Sequence, residues 1–399
     1  MSTGEPSRYW IFGPLQDMSF VLLTPLPILL IFAAARRGGW MNPLLTFGLA
    51  LAMAHYFPGI LRAYGDRALF KRFRLRLIVA PIFLTSVTAW FAYRNLHAVL
   101  LLAQVWGQWH WMMQVYGFAR IYDAKARPEA RTPAWLDKTV CLLWFGICVF
   151  VLNNDMPSYV TGFYESGGPN LPAGVFASFT RAWVAVTVAA TLYYVIRTIS
   201  AVREGRWPNP LKFVFVVVTF VYLTYTASVV QRPKMGLVLF ESWHDIQYLA
   251  IVWFFNINRA RNAPDAGNFT RFLFRPRAVL VVAYVGMYLV FGSLTHAWSL
   301  FGSDTVIRLA ASLVTSAACS TIIWTASSGK SGRKKQARPW AFAPAAKPDR
   351  RGFCSRHLSF GRSGRVTRRF GFCSSFRQFC SSRGKRKAAS PGLWKFTRM

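Results

Sequence analysis

Long apolar stretches recur along the first 326 residues and are separated by short polar connections. Several of them reach the roughly 20 apolar residues that a helix needs to cross a bilayer. Because unpaired peptide groups cannot face hydrocarbon, runs of this kind are expected to be helical. The pattern predicts about ten transmembrane helices, at residues 18–35, 43–58, 77–93, 96–118, 138–156, 176–197, 211–230, 237–257, 278–301 and 305–326.

The positive residues of the connections alternate from one side of these helices to the other. The amino-terminal segment and the connections after the second, fourth, sixth and eighth stretches carry 21 Lys and Arg, against 5 in the remaining connections. Cytoplasmic loops of membrane proteins are enriched in the same way. We therefore predict a polytopic integral membrane bundle, all-α, in the inner (plasma) membrane, with both termini cytoplasmic.

The formal net charge of +34 is unevenly distributed. Residues 329–399 hold 20 of the 48 Lys and Arg and a single acid, Asp349. The rest of the excess is the loop charge just described, so the expected partner is the lipid bilayer, and no nucleic acid is expected. The predicted organisation is a cytoplasmic amino-terminal segment (1–17), a transmembrane domain (18–326) and a basic, disordered tail (327–399).

The tail is rich in Arg, Ser, Phe, Cys and Gly and shows no periodicity. Reading the codons of residues 318–333 one base out of register permits a segment of the form His-(His/Tyr)-Tyr-x-Asp-x-Phe-Ile-Trp-Lys. Its aspartate is forced, because Trp324 has a single codon and is followed by a threonine. We interpret the tail as the product of a frameshift between about Arg308 and Ala318. The alternative is a genuine basic tail on the cytoplasmic leaflet.

Three stretches of the body carry further motifs. These are HxxxQxYG from His110, ExxHDxQY from Glu241 and HYFPGILRAYGD from His55. Together with the shifted tail segment, they resemble a family of uncharacterised bacterial multi-span membrane proteins. The resemblance covers roughly residues 50–320, and it implies a multi-span membrane fold without indicating an activity.

Three histidines, His55, His110 and His244, lie in the second, fourth and eighth predicted spans. Ionisable groups inside a membrane are costly and are candidates for function. The three spans run in the same direction, and the shifted reading would add a fourth His-bearing span parallel to them. Neutral imidazoles bind iron, zinc or copper, so we predict a metal site with these ligands and expect iron. The alternative is that each histidine only hydrogen-bonds between helices.

Polar residues at helical spacing accompany the histidines. Glu241, His244, Asp245 and Tyr248 share one helix face, and Gln114 follows His110 by one turn. Carboxylates and amides often accept the second N–H of a metal-bound imidazole. A supporting role is therefore predicted for Gln114, Glu241, Asp245, Gln247 and Tyr248. Structural ion pairs are predicted among Arg62, Asp66, Arg120 and Asp123, which lie on the cytoplasmic side.

These features favour a membrane-embedded iron enzyme that acts on a lipid or isoprenoid. The layout is distantly similar to the carotene-cleaving membrane oxygenases, whose iron is held by histidines from several spans. The HxxxH and HxxHH boxes typical of membrane desaturases are absent from the sequence. A transporter or channel and an accessory membrane subunit without catalysis are the alternatives. The sequence indicates neither a catalytic residue nor an oligomeric state.

Overall fold

The computed structural model describes residues 9–94, 98–152, 156–230, 233–262 and 267–301. The ordered secondary structure of this part of the chain is helical and contains no strand, which confirms the predicted all-α class for it. The tenth predicted span and the basic tail lie outside the described residues. The helices are α1 (Pro14–Asp17), α2 (Pro25–Gly38), α3 (Met41–Ala54), α4 (Tyr56–Gly65), α5 (Arg67–Tyr93), α6 (Ala98–Lys125), α7 (Ala134–Ile147), α8 (Met156–Glu165), α9 (Ala173–Arg203), α10 (Pro210–Ser228), α11 (Pro233–Asn262), α12 (Asn268–Leu273) and α13 (Ala278–Phe301), with π-helical turns at Met18–Leu22 and Cys148–Leu152 and a 3-10 turn at Pro128–Ala130.

Six segments of the described chain are long and apolar enough to cross a membrane, which agrees with a multi-pass membrane protein. A seventh candidate is the bent pair Pro14–Leu22 and Pro25–Gly38, whose two helices meet at 43°. The count of about ten spans and the cytoplasmic position of the termini stay predictions. The six segments are Met41–Gly65, Leu69–Phe91, Pro128–Leu152, Gly174–Arg203, Pro210–Ser228 and Ala278–Ala297.

Two long helices, α6 and α11, are not among these six. They have 28 and 30 residues and cover the predicted spans at 96–118 and 237–257. Their hydropathy is lower because α6 carries His110 and Gln114, and α11 carries Glu241, His244 and Asp245. The two helices that are too polar to count as membrane-crossing by hydropathy are therefore those that carry most of the candidate site.

Proline interrupts the helix that carries His55. Pro58 has no N–H to donate to the carbonyl of Ala54, so the hydrogen-bond ladder is broken at this point. Helix α3 ends at Ala54 and α4 begins at Tyr56, which leaves His55 at the junction. The two helices together still form the 25-residue candidate span Met41–Gly65.

The largest core lies between the amino-terminal segment, α6, α7, α10 and α11. Large side chains such as Phe118, Phe215 and Trp243 are almost completely buried there. Helix α9 has the opposite character: only 6% of its most apolar window is buried, and it exposes side chains such as Val186 and Leu192. An apolar surface of this kind is expected where a helix faces lipid.

Three segments of the bundle lie side by side with the same chain direction. In each pair of neighbours, the contact that comes later in one helix also comes later in the other. This agrees with the parallel arrangement expected of the second, fourth and eighth spans. The contacts are Gly48–Val238 and His55–Asp245 between α3–α4 and α11, and Trp111–Phe240 and Gln114–Gln247 between α6 and α11.

Candidate metal centre

The imidazoles of His55, His110 and His244 meet inside the bundle. One ring nitrogen of each lies within 4.8 Å of the chosen nitrogens of the other two. The closest pair is Nε2 of His55 and Nε2 of His110, which are 3.2 Å apart. The ring centroids are separated by 4.8 to 5.4 Å. His55 and His244 are each only 2% exposed, so the cluster lies away from bulk solvent.

The arrangement fits a metal ion. A tetrahedral ion with metal–nitrogen distances of 2.0–2.1 Å holds two nitrogens about 3.3 Å apart, close to the separation of His55 and His110. The widest pair would have to close by no more than about 1.5 Å. Nε2 of His244 is buried and has no hydrogen-bond partner among the described residues, which is costly unless the nitrogen serves as a ligand.

Asp245 is the carboxylate that lies closest to His55. Its Oδ1 lies 2.8 Å from Nδ1 of His55, and both side chains are buried. The two atoms are not aligned for a hydrogen bond, so the carboxylate would select the tautomer that leaves Nε2 free for a metal only after a small rotation of either side chain. Tyr288 of α13 packs against the same carboxylate and donates a hydrogen bond to the carbonyl of Leu51 (3.1 Å). Asp245 thus joins α3, α11 and α13 at the site.

Amide side chains hold the backbone behind His244. Nε2 of Gln114 donates to the His244 carbonyl (2.9 Å) and lies 3.4 Å from Oε1 of Gln247. Gln247 and Trp243 each donate a side-chain hydrogen bond of 3.2 Å to the carbonyl of Val21, in the π-helical turn. The two glutamines therefore contact backbone and each other, whereas the sequence predicted that they would accept an imidazole N–H.

The two remaining predicted supporting residues lie at the edge of the cluster. Glu241 lies near Trp111, whose ring centroid is 6.3 Å from that of His244. The Tyr248 ring lies against the face of His55, with centroids 4.6 Å apart. Among the predicted supporting residues, Asp245 has the one described contact between a carboxylate and an imidazole nitrogen. Trp111 and Tyr288 are additional neighbours that the sequence pattern did not single out.

The predicted ion pairs are arranged in two places. Arg120 pairs with Asp123 one helical turn away, at 2.9 Å. Asp66 pairs with Arg259 of α11, also at 2.9 Å. Arg62, which lies one turn before Asp66, forms no ion pair with a described residue. Arg259 was missed because its position at the end of an apolar stretch is equally typical of topogenic loop charge.

A buried ionic cluster surrounds the first of these pairs. The Lys212 side chain is completely buried, with Nζ 3.0 Å from Oδ1 of Asp123 and 2.7 Å from Oδ1 of Asp137. Arg120 lies 2.6 Å from Oδ2 of Asp137, and the Tyr194 hydroxyl donates to Oδ1 at 3.1 Å. Two cations balance two carboxylates, so the cluster is suited to fastening α6, α7 and α10 together.

An apolar cavity of about 360 Å³ adjoins α6 on the face turned away from His110, which does not line it. Gln108, Trp109 and Met112 line it from α6, and apolar side chains of α7, α8 and α9 complete its wall. Ligand pockets in proteins typically measure about 300–1,000 Å³ and are mostly apolar. The cavity therefore has the size and lining of a site for an apolar chain.

No known protein family, curated protein or solved structure matches this chain.

Proposed function

We propose that this chain is a membrane-embedded metalloenzyme that holds an iron ion on His55, His110 and His244 and acts on a lipid or isoprenoid. In this proposal the bundle has about ten spans, lies in the inner membrane and keeps both termini in the cytoplasm. The observation that carries the proposal is the convergence of three imidazole nitrogens from three helices within 4.8 Å.

The chemistry of the three side chains supports a catalytic rather than a purely structural ion. Three neutral imidazoles suit iron, zinc and copper. A site with three protein ligands leaves coordination positions open, as catalytic metal sites do. Iron at such a site supplies Lewis acidity and the capacity to react with oxygen.

The chain's own residues account for the positioning that such a site requires. Asp245 lies 2.8 Å from Nδ1 of His55 and would hold one tautomer when the two groups align in a hydrogen bond. Gln114 holds the backbone of His244 at 2.9 Å and so fixes the register of α6 against α11. Both contacts restrict the movement of the segments that carry the imidazoles.

The surroundings support an apolar substrate. The cavity beside α6 opens between apolar side chains such as Phe145 and Trp183, with Gln108 and Tyr159 as its few polar groups. An acyl or isoprenoid chain could lie there, against five residues of α6, the helix that also carries His110. The carotene-cleaving oxygenases, to which the layout is distantly similar, also act on isoprenoids.

Metal analysis of the purified full chain tests the proposal. We expect close to one iron per chain by mass spectrometry of the metal, and loss of most of it in His55→Ala, His110→Ala and His244→Ala. His296→Ala is the matched control, because His296 lies on α13 and outside the cluster, and it should retain the metal. A folded wild-type chain that binds no added iron would refute the proposal, and stoichiometric zinc or copper would refute the choice of iron.

Oxidation of lipid tests the reaction. The iron-loaded chain is incubated with oxygen and a membrane lipid extract, and the products are separated by mass spectrometry. We expect oxygenated or cleaved lipid with the wild type and the His296→Ala control, and none with His244→Ala. Products that form equally with all three proteins would come from free iron and would argue against catalysis by the site.

The accessory-subunit alternative also has a supporting observation. Nε2 of His55 and Nε2 of His110 are close enough, at 3.2 Å, to share one proton in a hydrogen bond without any metal. In that case the histidines would only join helices. The same metal analysis separates the two, because a hydrogen-bonded pair leaves the chain stable and free of metal.

A further inference from the structure

Arg62 takes part in none of the ion pairs among the described residues. The nearby carboxylate, Asp66, is engaged by Arg259 at 2.9 Å. The guanidinium of Arg62 lies over the ring of Phe255, 4.6 Å from its centroid. It makes no hydrogen bond to any described residue. A guanidinium offers five N–H donors, so this group retains its full capacity to bind an anion.

Arg62 lies on the same seam as the histidine cluster. It follows His55 by seven residues, which places it two turns away on one face of the α3–α4 segment, about 10 Å along the axis. Tyr248, which packs on His55, also interacts electrostatically with Arg62. The sequence from the cluster outward is therefore His55, Tyr248, Arg62 and then the Asp66–Arg259 pair.

A second polar group on this seam is also unused. The hydroxyl of Tyr284 on α13 is buried and has no hydrogen-bond partner among the described residues. Tyr284 interacts with Tyr248 and is only 2% exposed. Leaving a buried donor unpaired costs free energy, so a hydroxyl in this place is best explained by a ligand that accepts its hydrogen bond.

The depth of Arg62 indicates the class of ligand. It lies three residues before the end of the candidate span Met41–Gly65, at the level where a bilayer changes from hydrocarbon to headgroups. With Arg259 and Asp66 beside it, the local charge is +1. A planar guanidinium fork binds phosphate through two parallel hydrogen bonds.

We propose that the seam between Arg62 and Tyr284 binds a phosphate group, with the Arg62 guanidinium as its anchor, and that this group is the headgroup of an amphipathic lipid whose chain extends toward the histidine cluster. The inference rests on the proposed function only in taking that lipid as the substrate. Phosphate binding itself would hold whether or not the cluster carries iron.

The test uses the full chain in detergent, freed of lipid, and measures bound adducts by native mass spectrometry. The probes are dioleoyl phosphatidic acid, the uncharged dioleoylglycerol and inorganic phosphate. We expect the wild type to bind phosphatidic acid at least tenfold more tightly than dioleoylglycerol. Displacement of the lipid by inorganic phosphate would show that the phosphate alone is recognised, and failure to displace it would show that the lipid is the ligand.

Three variants identify the anchor. Arg62→Gln should lose the tenfold preference, and Arg62→Lys, which keeps the charge but not the fork, should keep part of it. Arg67→Gln is the matched control. Arg67 is exposed at the start of α5, and the substitution removes the same charge close to the end of α4. Equal binding by the wild type and Arg62→Gln overturns the inference, as does equal loss in Arg62→Gln and Arg67→Gln. If Arg62→Gln does not fold, Arg62→Lys alone decides the test. An undiminished preference for phosphatidic acid in that variant would count against binding by the planar guanidinium.

Metal content is measured on the same samples. Iron present in Arg62→Gln together with lost phosphatidic acid binding supports both proposals. Phosphate binding that depends on Arg62 in a chain without metal supports this inference and refutes the iron site. If iron is present and phosphate binding does not depend on Arg62, the iron site is supported and this inference is refuted.

Discussion

Replacing Asp245 by asparagine is expected to weaken metal binding without unfolding the bundle. The change keeps the size of the side chain and removes the charge that lies 2.8 Å from Nδ1 of His55. In the proposed metal site, a carboxylate hydrogen-bonded to Nδ1 would make the imidazole a better ligand and fix its tautomer, and burial of both groups would strengthen the two effects. An asparagine amide can present either its oxygen or its NH₂ group, so the tautomer is no longer determined.

The expected loss of metal affinity can be sized from other carboxylates that hydrogen-bond to a metal-bound histidine. Their removal typically weakens metal affinity about 10- to 100-fold, which corresponds to about 1.4–2.8 kcal/mol of binding free energy. The bundle itself should remain folded, since Asp245 is a buried carboxylate whose removal also relieves a desolvation penalty. Weaker binding and an unchanged thermal transition of the metal-free chain are therefore expected together.

Competition with a chelator of known affinity measures the change. The wild type, Asp245→Asn and Ser242→Ala are titrated with iron(II) in the presence of the chelator, and the metal-free samples are melted in parallel. Ser242 is the control because its hydroxyl donates to the carbonyl of Val238 within α11, away from the imidazoles. An affinity of Asp245→Asn within twofold of the wild type would show that the carboxylate does not support His55 as a ligand.

Three further predictions concern the bundle and the gene. Lys212→Met should lower the free energy of unfolding by about 3–5 kcal/mol, because it leaves two buried carboxylates sharing one cation, the partly exposed Arg120. Denaturant unfolding measures this, and Lys138→Met, at a partly exposed site, should change it by less than about 1 kcal/mol. Gly292→Ala should lower the melting temperature, since its new Cβ would collide with the backbone carbonyl of Ala50, whereas Gly286→Ala meets open space and should have no such effect. Resequencing of the gene across codons 305–335 should reveal a frame that differs from the one translated here, and an intact frame would refute the frameshift.

The grouping of the three histidines was accessible from the sequence because it depends on span direction and helical spacing alone. Spans separated by an even number of crossings run the same way, so histidines at similar depth in them can meet. The same spacing placed Asp245 on the face of His244. That the three helices are neighbours is shown only by the structure.

The choice of ionic partners was not accessible, because it depends on how α4, α10 and α11 pack. Asp66 could have paired with Arg62 on its own helix, yet it pairs with Arg259, which is 193 residues away in the chain. Lys212 and Asp137 lie at the ends of apolar stretches, where the sequence indicates topogenic charge. Only the packing shows that they are buried together.

The double hydrogen bond at the Val21 carbonyl constrains how the protein can be made. Val21 emerges early from the ribosome, but its partners Trp243 and Gln247 follow 222 and 226 residues later. During synthesis the first helices lack these two hydrogen bonds until α11 has been made and packed beside them, because contacts between residues so distant in the chain form late. A nascent chain that stops before residue 233 would therefore contain two of the three histidines but not the helix that brings them into register. Capture of a metal would be the final event of assembly, coupled to completion of the fold.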